Sequence, residues 1–299
     1  MVSFKKYIWI LLTALAFGTM EIALKIGGNA FSALQLTFLR FLIGGLFLLP
    51  FALHDLKKRG HKLSLRDWGF IFQLAFINIV ISMTLFQMSV MHANANLAAV
   101  LISFNPMFTM IFAHFIAHEH FTLHKFSMLA ICLSGLLLAA APWHLAQGNT
   151  PIGIVMGLGA ALAFGLYTAL SKKRIAQIGT MPLTSFSFII GAMMELVLLL
   201  IHKEPVFQNV TSPDALPVLI YVSLIVTGFG YFCFMRAVER AGATYASYAF
   251  FLKPVIAMCL AAIVLNESIT WNIALGVAII VAGCILNTYQ PKLNTKVHA

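Results

Sequence analysis

The feature that most limits what this chain can fold into is the recurrence of long apolar runs. A membrane-crossing helix needs about 20 predominantly apolar residues, and ten segments approach that length: 7–26, 33–53, 68–88, 97–117, 123–141, 152–170, 183–201, 215–235, 245–265 and 271–286. Runs this long and this many leave too little polar chain to cover a water-facing globule. Composition agrees: 61% of residues are hydrophobic and 9% charged, against roughly 45–50% and about 25% in a soluble domain. The expected class is an all-α polytopic membrane protein with ten transmembrane helices. The first 20 residues imitate a secretory leader, with Lys5 and Lys6 ahead of an apolar run and Ala14-x-Ala16 as a cleavage-like site. Because the run continues to Ile26 and part of it recurs later, it is expected to be a retained helix.

Charge orients the spans. With the N-terminus in the cytoplasm, 15 of the 19 Lys and Arg fall on the inner side, Arg40 and Lys253 fall inside spans, and only Lys25 and Lys203 fall outside. That asymmetry is the one the positive-inside rule requires, so both termini are expected in the cytoplasm and the protein in the cytoplasmic (inner) membrane. The formal charge of +10 thus follows loop topology and needs no nucleic-acid partner. Cys132, Cys233, Cys259 and Cys284 all lie in apolar runs without a C-x-x-C pair, which suits packing rather than metal or disulfide chemistry.

The chain also repeats itself. Sliding it by 147 residues lays ALAFGTMEIALK (14–25) on ALAFGLYTALSK (161–172), and sliding by 148 lays Phe86 on Phe234, Pro106 on Pro254, Glu119 on Glu267 and Gly135 on Gly283. Two repeats are expected, at 4–141 and 152–289. Each holds five helices, an odd number, so the second must enter the membrane from the opposite face: the repeats are expected to be inverted. Inverted repeats that exchange conformations turn an inward-open cavity into an outward-open one, which is alternating access.

The stretches LTFLRFLIGG around Arg40, NPMF around Pro106, HEHFT with Glu119, and RAVERAGATYASYAFFLKPVIAMCLAAIVLNESITW with Pro254 and Glu267 resemble the drug/metabolite transporter superfamily, and within it the EamA-like family with its two five-helix repeats. The resemblance covers essentially the whole chain. It implies a transporter of small organic molecules rather than an enzyme, without a cofactor.

An ionisable side chain at the bilayer centre is costly and is usually paired or faces a cavity, which makes each one a candidate. Glu21 has two readings: an i,i+4 pair with Lys25, or a cavity carboxylate that carries a proton or neutralises an amine. Lys253, about 12–15 Å along its helix at 1.5 Å per residue, is expected near mid-bilayer, where it either pairs with a carboxylate such as Glu21 or, the favoured reading, binds the carboxylate or another anionic group of the substrate. Pro254 is expected to kink that helix, with Asn105 and Pro106 in the matching position of the first repeat. Arg40 is read as structural, anchoring carbonyls at a helix junction. Asn78, Gln87, Tyr167 and Tyr248 are weaker candidates for lining a cavity. Gly18 and Gly165 are assigned to close helix packing, with a hinge as the secondary reading. Glu195 is placed close to the outer surface and read as interfacially solvated.

His114, His118 and His120 raise a different possibility, since histidines at i,i+4 can chelate a metal; a membrane-embedded metalloenzyme is the alternative from another class. The remaining histidines are scattered over both faces, too few for a full ligand set, so no metal or cofactor is expected. The sequence has no G-x-x-x-x-G-K-[ST] loop, which argues against ATP hydrolysis. The leading expectation is a secondary transporter of a small-molecule metabolite, exporting amino acids or related compounds, either coupled to protons or facilitated down a gradient, with membrane lipids as surroundings and a monomer or weak homodimer as the assembly. A multidrug or organic-cation exporter is the alternative within transport.

Overall fold

The computed structural model describes residues 5–20, 22–23, 30–92, 100–120, 122–140, 150–264 and 271–288. These are mostly helical, with no strand among the described residues. In chain order they form α1 (Lys5–Gly18), α2 (Ala33–Arg59), α3 (residues 65–92), α4 (Val100–Ala117), α5 (Leu123–Ala140), α6 (Pro151–Ile178), α7 (Thr180–Ile201), α8 (Ala215–Ala241), α9 (residues 243–264) and α10 (Trp271–Thr288). Six of them, α2, α3, α4, α6, α7 and α8, are long and apolar enough to cross a membrane. Large apolar side chains such as Phe51, Phe72, Val155 and Leu200 lie exposed on these helices, a surface that suits acyl chains and not water.

Local sequence sets the helix ends. Ser32 and Gln35 form a capping box at the start of α2, and Ser64 with Asp67 does the same for α3; each serine oxygen takes a backbone N–H that has no partner within the helix. Thr150 caps α6, with Pro151 in its first turn, where a missing N–H costs nothing. Between α8 and α9, Gly242 adopts φ 95°, a conformation other residues rarely reach.

Hydrogen bonds between helix ends define two poles. At the basic pole the end of α2 meets the ends of α6 and α8: Arg59 donates to Ala176 O and to Asp55, and lies 4.0 Å from Glu239. Glu239 also accepts from Thr180 and Arg236, both at 2.8 Å. At the other pole Ser32 meets Glu204, and Gln35 donates to the Val206 and Gln208 carbonyls. Thus α2 starts where α7 ends and ends where α7 starts, and the two pack together antiparallel.

Element boundaries and packing both recur. The starts of α2 and α7 lie 147 residues apart, and those of α5 and α10 lie 148 apart. Contacts follow the same rule: α2 pairs with α7 and α5 with α10, while α1 packs on α9 as α6 packs on α4. The close crossings use equivalent residues. A Cβ on Gly18 would lie 2.9 Å from Ile256, and one on Gly165 would lie 2.8 Å from Phe108, which is the residue equivalent to Ile256. Small residues there let the helices touch backbone to backbone.

Two helices are not α-helical throughout. α3 carries a π segment at Phe76–Met83 and α8 carries one at Val222–Gly230, at corresponding places in the sequence repeat. Such wide turns cluster at functional positions. α4 and α9 are broken differently, by tightened i→i−3 bonds: Ser103 N donates to Val100 O, and Phe251 N donates to Tyr248 O. These two bonds are also equivalent, each ending two residues before Asn105 and Lys253. The interruption expected at Pro254 therefore lies six residues earlier, at Tyr248. Pro254 itself sits inside the helical stretch Ala249–Val264, and Pro106 lies in the first turn after its break, where proline is tolerated.

Candidate functional site

A cavity lies where α1, α2, α3, α4, α6, α8 and α9 converge. Its walls are largely apolar and follow the repeat: Phe17 and Phe164 are equivalent, as are Met83 and Tyr231, and Ile102 and Phe250, and all six line it. Rings from both halves stack edge-on around Tyr231, with Phe17 at 5.1 Å and Phe188 at 4.9 Å between centroids. Edge-to-face rings of this kind give rigid, apolar walls.

Two cations break that symmetry. Arg40 from α2 and Lys253 from α9 line the same cavity and are only 2% and 6% exposed. Arg40 has an unusual set of neighbours for a buried guanidinium. It donates to the thioether sulfurs of Met83 (3.1 Å) and Met20 (3.7 Å) and lies 4.6 Å from the Phe41 ring centroid. Its Nε has no hydrogen-bond partner among the described residues. Thioethers are weak acceptors, so the guanidinium keeps unused capacity for an anion. Lys253 holds its ammonium 5.9 Å from the Phe86 ring centroid, a cation–π distance. Its position is set by α1: the Lys253 carbonyl would lie 3.0 Å from a Cβ on Gly18, so the missing side chain of Gly18 lets this part of α9 approach the cavity.

Other sequence candidates scatter. Asn105 is fully buried, but its amide donates to Ile102 O at 3.0 Å, closing its own broken turn rather than facing the cavity. Asn78 is fully buried on the π segment, and both of its amide atoms lack hydrogen-bond partners among the described residues. Gln87 is buried next to Phe86, which does line the cavity. Tyr167 packs on Phe164 behind the wall, 5.7 Å between centroids. Tyr248 lies away from the cavity: it stacks on Phe251 and donates to Lys125 O near the basic pole. Tyr231, which the sequence reading did not single out, is the tyrosine that lines the cavity. Glu21 and Lys25 lie outside the described residues.

Glu195 differs from its expected interfacial place. It is fully buried, one oxygen accepting from Thr84 at 2.8 Å and the other without a partner among the described residues. The reason is packing: a Cβ on Gly191, one turn before it, would lie 2.9 Å from the Ile79 Cβ, so α7 lies directly against the π segment and closes over the carboxyl. Arg40, read as a junction residue, contacts Met20 and Met83 from two other helices and also lines the cavity.

The histidine cluster does not assemble. His114 Nδ1 contacts the Glu119 carbonyl at 3.1 Å and His118 ends α4 in the left-handed region. Among the described residues no three His, Cys, Asp or Glu side chains come together as a metal site would need. Glu119 instead bridges the halves at the basic pole. Its carboxylate accepts from the backbone of Ala243 and Thr244 and from the Thr244 hydroxyl, with Lys125 at 3.6 Å. A Cβ at position 242 would fall 2.6 Å from that carboxylate, a second reason for the glycine there.

Comparison with known proteins fits this architecture. Residues 4–141 and 151–289 each match the EamA-like transporter family. An uncharacterized transporter of Clostridium kluyveri is 35% identical over 95% of this chain and 93% of its own length. An S-adenosylmethionine uptake transporter of Rickettsia prowazekii is 23% identical over 95% of this chain and 92% of its own. A solved crystal structure shares the fold with a TM-score of 0.76, at 17% identity over 95% of this chain and 96% of that one. With its apolar helices and two matched regions, this chain is a multi-pass membrane protein that belongs to the EamA-like transporter family.

Proposed function

We propose that the protein is a ten-helix secondary transporter built from two inverted five-helix repeats, residues 4–141 and 152–289, and that it moves a small organic metabolite bearing an anionic group. The single observation that carries the substrate class is the pair of buried cations, Arg40 and Lys253, in one aromatic-walled cavity. A buried charge needs a partner to offset its desolvation; for Arg40, whose Nε has no hydrogen-bond partner among the described residues, the substrate carboxylate supplies one, while Phe17, Phe164 and Tyr231 take its apolar body. Amino acids and related zwitterions satisfy both demands, and export is the proposed direction. The antiparallel run of the equivalent helices α2 and α7 supports the inversion, and broken helices beside the cavity are where such carriers bind solute. The orientation proposed from the basic loops puts both termini and the basic pole in the cytoplasm of an inner-membrane protein. The polar contacts that tie the halves together there fit a state closed to that side.

Ligand-dependent thermal stabilisation of the purified protein tests this reading, because a solute that binds only the folded state raises its apparent stability. The panel holds amino acids, carboxylates, amines, nucleotides and, prompted by the name of the Rickettsia relative, S-adenosylmethionine. Stabilisation by zwitterions or anions that vanishes in Lys253→Ala is expected. Stabilisation by hydrophobic cations alone, untouched in Lys253→Ala, would replace this reading with the organic-cation exporter.

A further inference from the structure

The most unusual group outside the cavity wall is Glu195. It sits in the second half of α7, is fully buried, and its Oε1 accepts from the Thr84 hydroxyl at 2.8 Å while its Oε2 meets no partner among the described residues. Ordinary packing would fill such a place with an apolar side chain. An unpaired ionised carboxylate in a dry interior is far more costly than the neutral acid, and an orphaned buried polar atom in a native fold calls for a specific explanation.

The surroundings supply one. Thr84 is the residue that follows the π segment of α3, and its hydroxyl also lies 3.5 Å from the Ile79 carbonyl within that segment. The carboxyl therefore rests on a stretch of backbone with irregular hydrogen bonding, held by the contact of Gly191 with Ile79. The charged and titratable groups facing it from each packed helix are few. α2 presents Arg40, whose charge acts on the carboxyl; α8 presents Tyr231, beside that guanidinium; α6 presents Tyr167, next to Tyr231. The ionisable groups at the start of α3, Arg66 and Asp67, belong to the basic pole, where Asp67 lies 3.3 Å from Arg174. Arg40 thus serves both places: it lines the cavity and is the cation among the described residues whose charge acts on the buried carboxyl.

We propose that Glu195 is a proton-binding site of this protein, holding a proton on its free oxygen in the conformation seen here and releasing it when α7 moves against the π segment and the carboxylate gains Arg40 or water. Its consequence for transport, proton coupling of solute movement, rests on the transporter reading above. The site itself does not. Intramembrane carboxyls that change surroundings between two conformations are the usual carriers in proton-linked transport.

Infrared difference spectroscopy on the purified full chain tests the site without any solute. The signal is the C=O stretch of a protonated carboxylic acid, followed as pH is raised and compared between Glu195→Gln and the parent. The expected result is one acid band that fades with rising pH while the protein stays folded and that is lost in Glu195→Gln. Should that variant not fold, Thr84→Val keeps the carboxyl and removes its donor, and the band is expected to shift in frequency. A spectrum unchanged in Glu195→Gln, a band that ignores pH, or a band unmoved in Thr84→Val would each overturn the proposal. The ligand panel can fail with this band intact, and the reverse, so the two readings fall separately.

Discussion

The two halves of the molecule build the same wall and furnish it differently. Phe17 and Phe164, Met83 and Tyr231, and Ile102 and Phe250 face one cavity as equivalent pairs, and Tyr231 Oη even reaches the sulfur of its own counterpart, Met83, at 3.9 Å. At the position after each broken turn the halves part company. Asn105 turns its amide onto Ile102 O; Lys253 turns its ammonium into the cavity. Shared packing therefore supplies the container, and departures from the repeat supply the chemistry. A polar residue that lacks a matching partner in the other half is, on this view, the first place to look for recognition.

That contrast can be broken most directly at Lys253. Truncating one member of a buried, hydrogen-bonded charge contact costs about 2–5 kcal/mol of binding, so Lys253→Ala is expected to abolish ligand-induced thermal stabilisation, whereas Asn105→Ala is expected to keep it. Equal losses in both variants would mean the halves contribute alike. Next in size is Glu119, whose charge-assisted bonds hold α4 of one half to the start of α9 in the other. Hydrogen bonds to charged groups contribute about 1.5–3 kcal/mol, and Glu119→Ala is expected to lower the melting temperature and to raise cysteine labelling of positions introduced at the basic pole. Gly18→Val and Gly165→Val examine the symmetric part. Overpacking of a tight contact costs about 1–3 kcal/mol, and matched losses in thermal stability are expected because the crossings are equivalent; a loss confined to one would show that the halves pack unequally. The smallest effect belongs to Asn105→Ala itself, a single net hydrogen bond of roughly 0.5–1.5 kcal/mol, visible as a modest drop in melting temperature.

Much of this was legible before any coordinates. Apolar run length locates the helices, and the offset of 147 to 148 residues identifies which positions of the two matched regions are equivalent. Arg40 and Lys253 stood out because a charge inside an apolar run has few tolerable surroundings. What could not be read was direction around each helix axis. In a soluble helix the polar stripe marks the outer face; here lipid-facing and buried faces are both apolar, so nothing in the spacing separates Tyr231, at the cavity, from Tyr248, away from it. The π segments add to this, since a wider turn rotates every residue beyond it relative to an α-helical count, and Thr84 meets Glu195 only after that rotation. Glu195 was misplaced for a related reason: distance from a helix end measures depth, not enclosure, and it is Gly191 on Ile79 that closes the site.

The paired π segments also carry a date. A wide turn of this kind arises when one residue is inserted into an existing helix, a single event in a gene. Phe76–Met83 and Val222–Gly230 occupy corresponding places in the two halves, so one insertion in an undivided ancestor accounts for both, while two separate insertions after copying would have had to strike the same turn twice. On that account the wide turn is older than the join between the two family-matched regions.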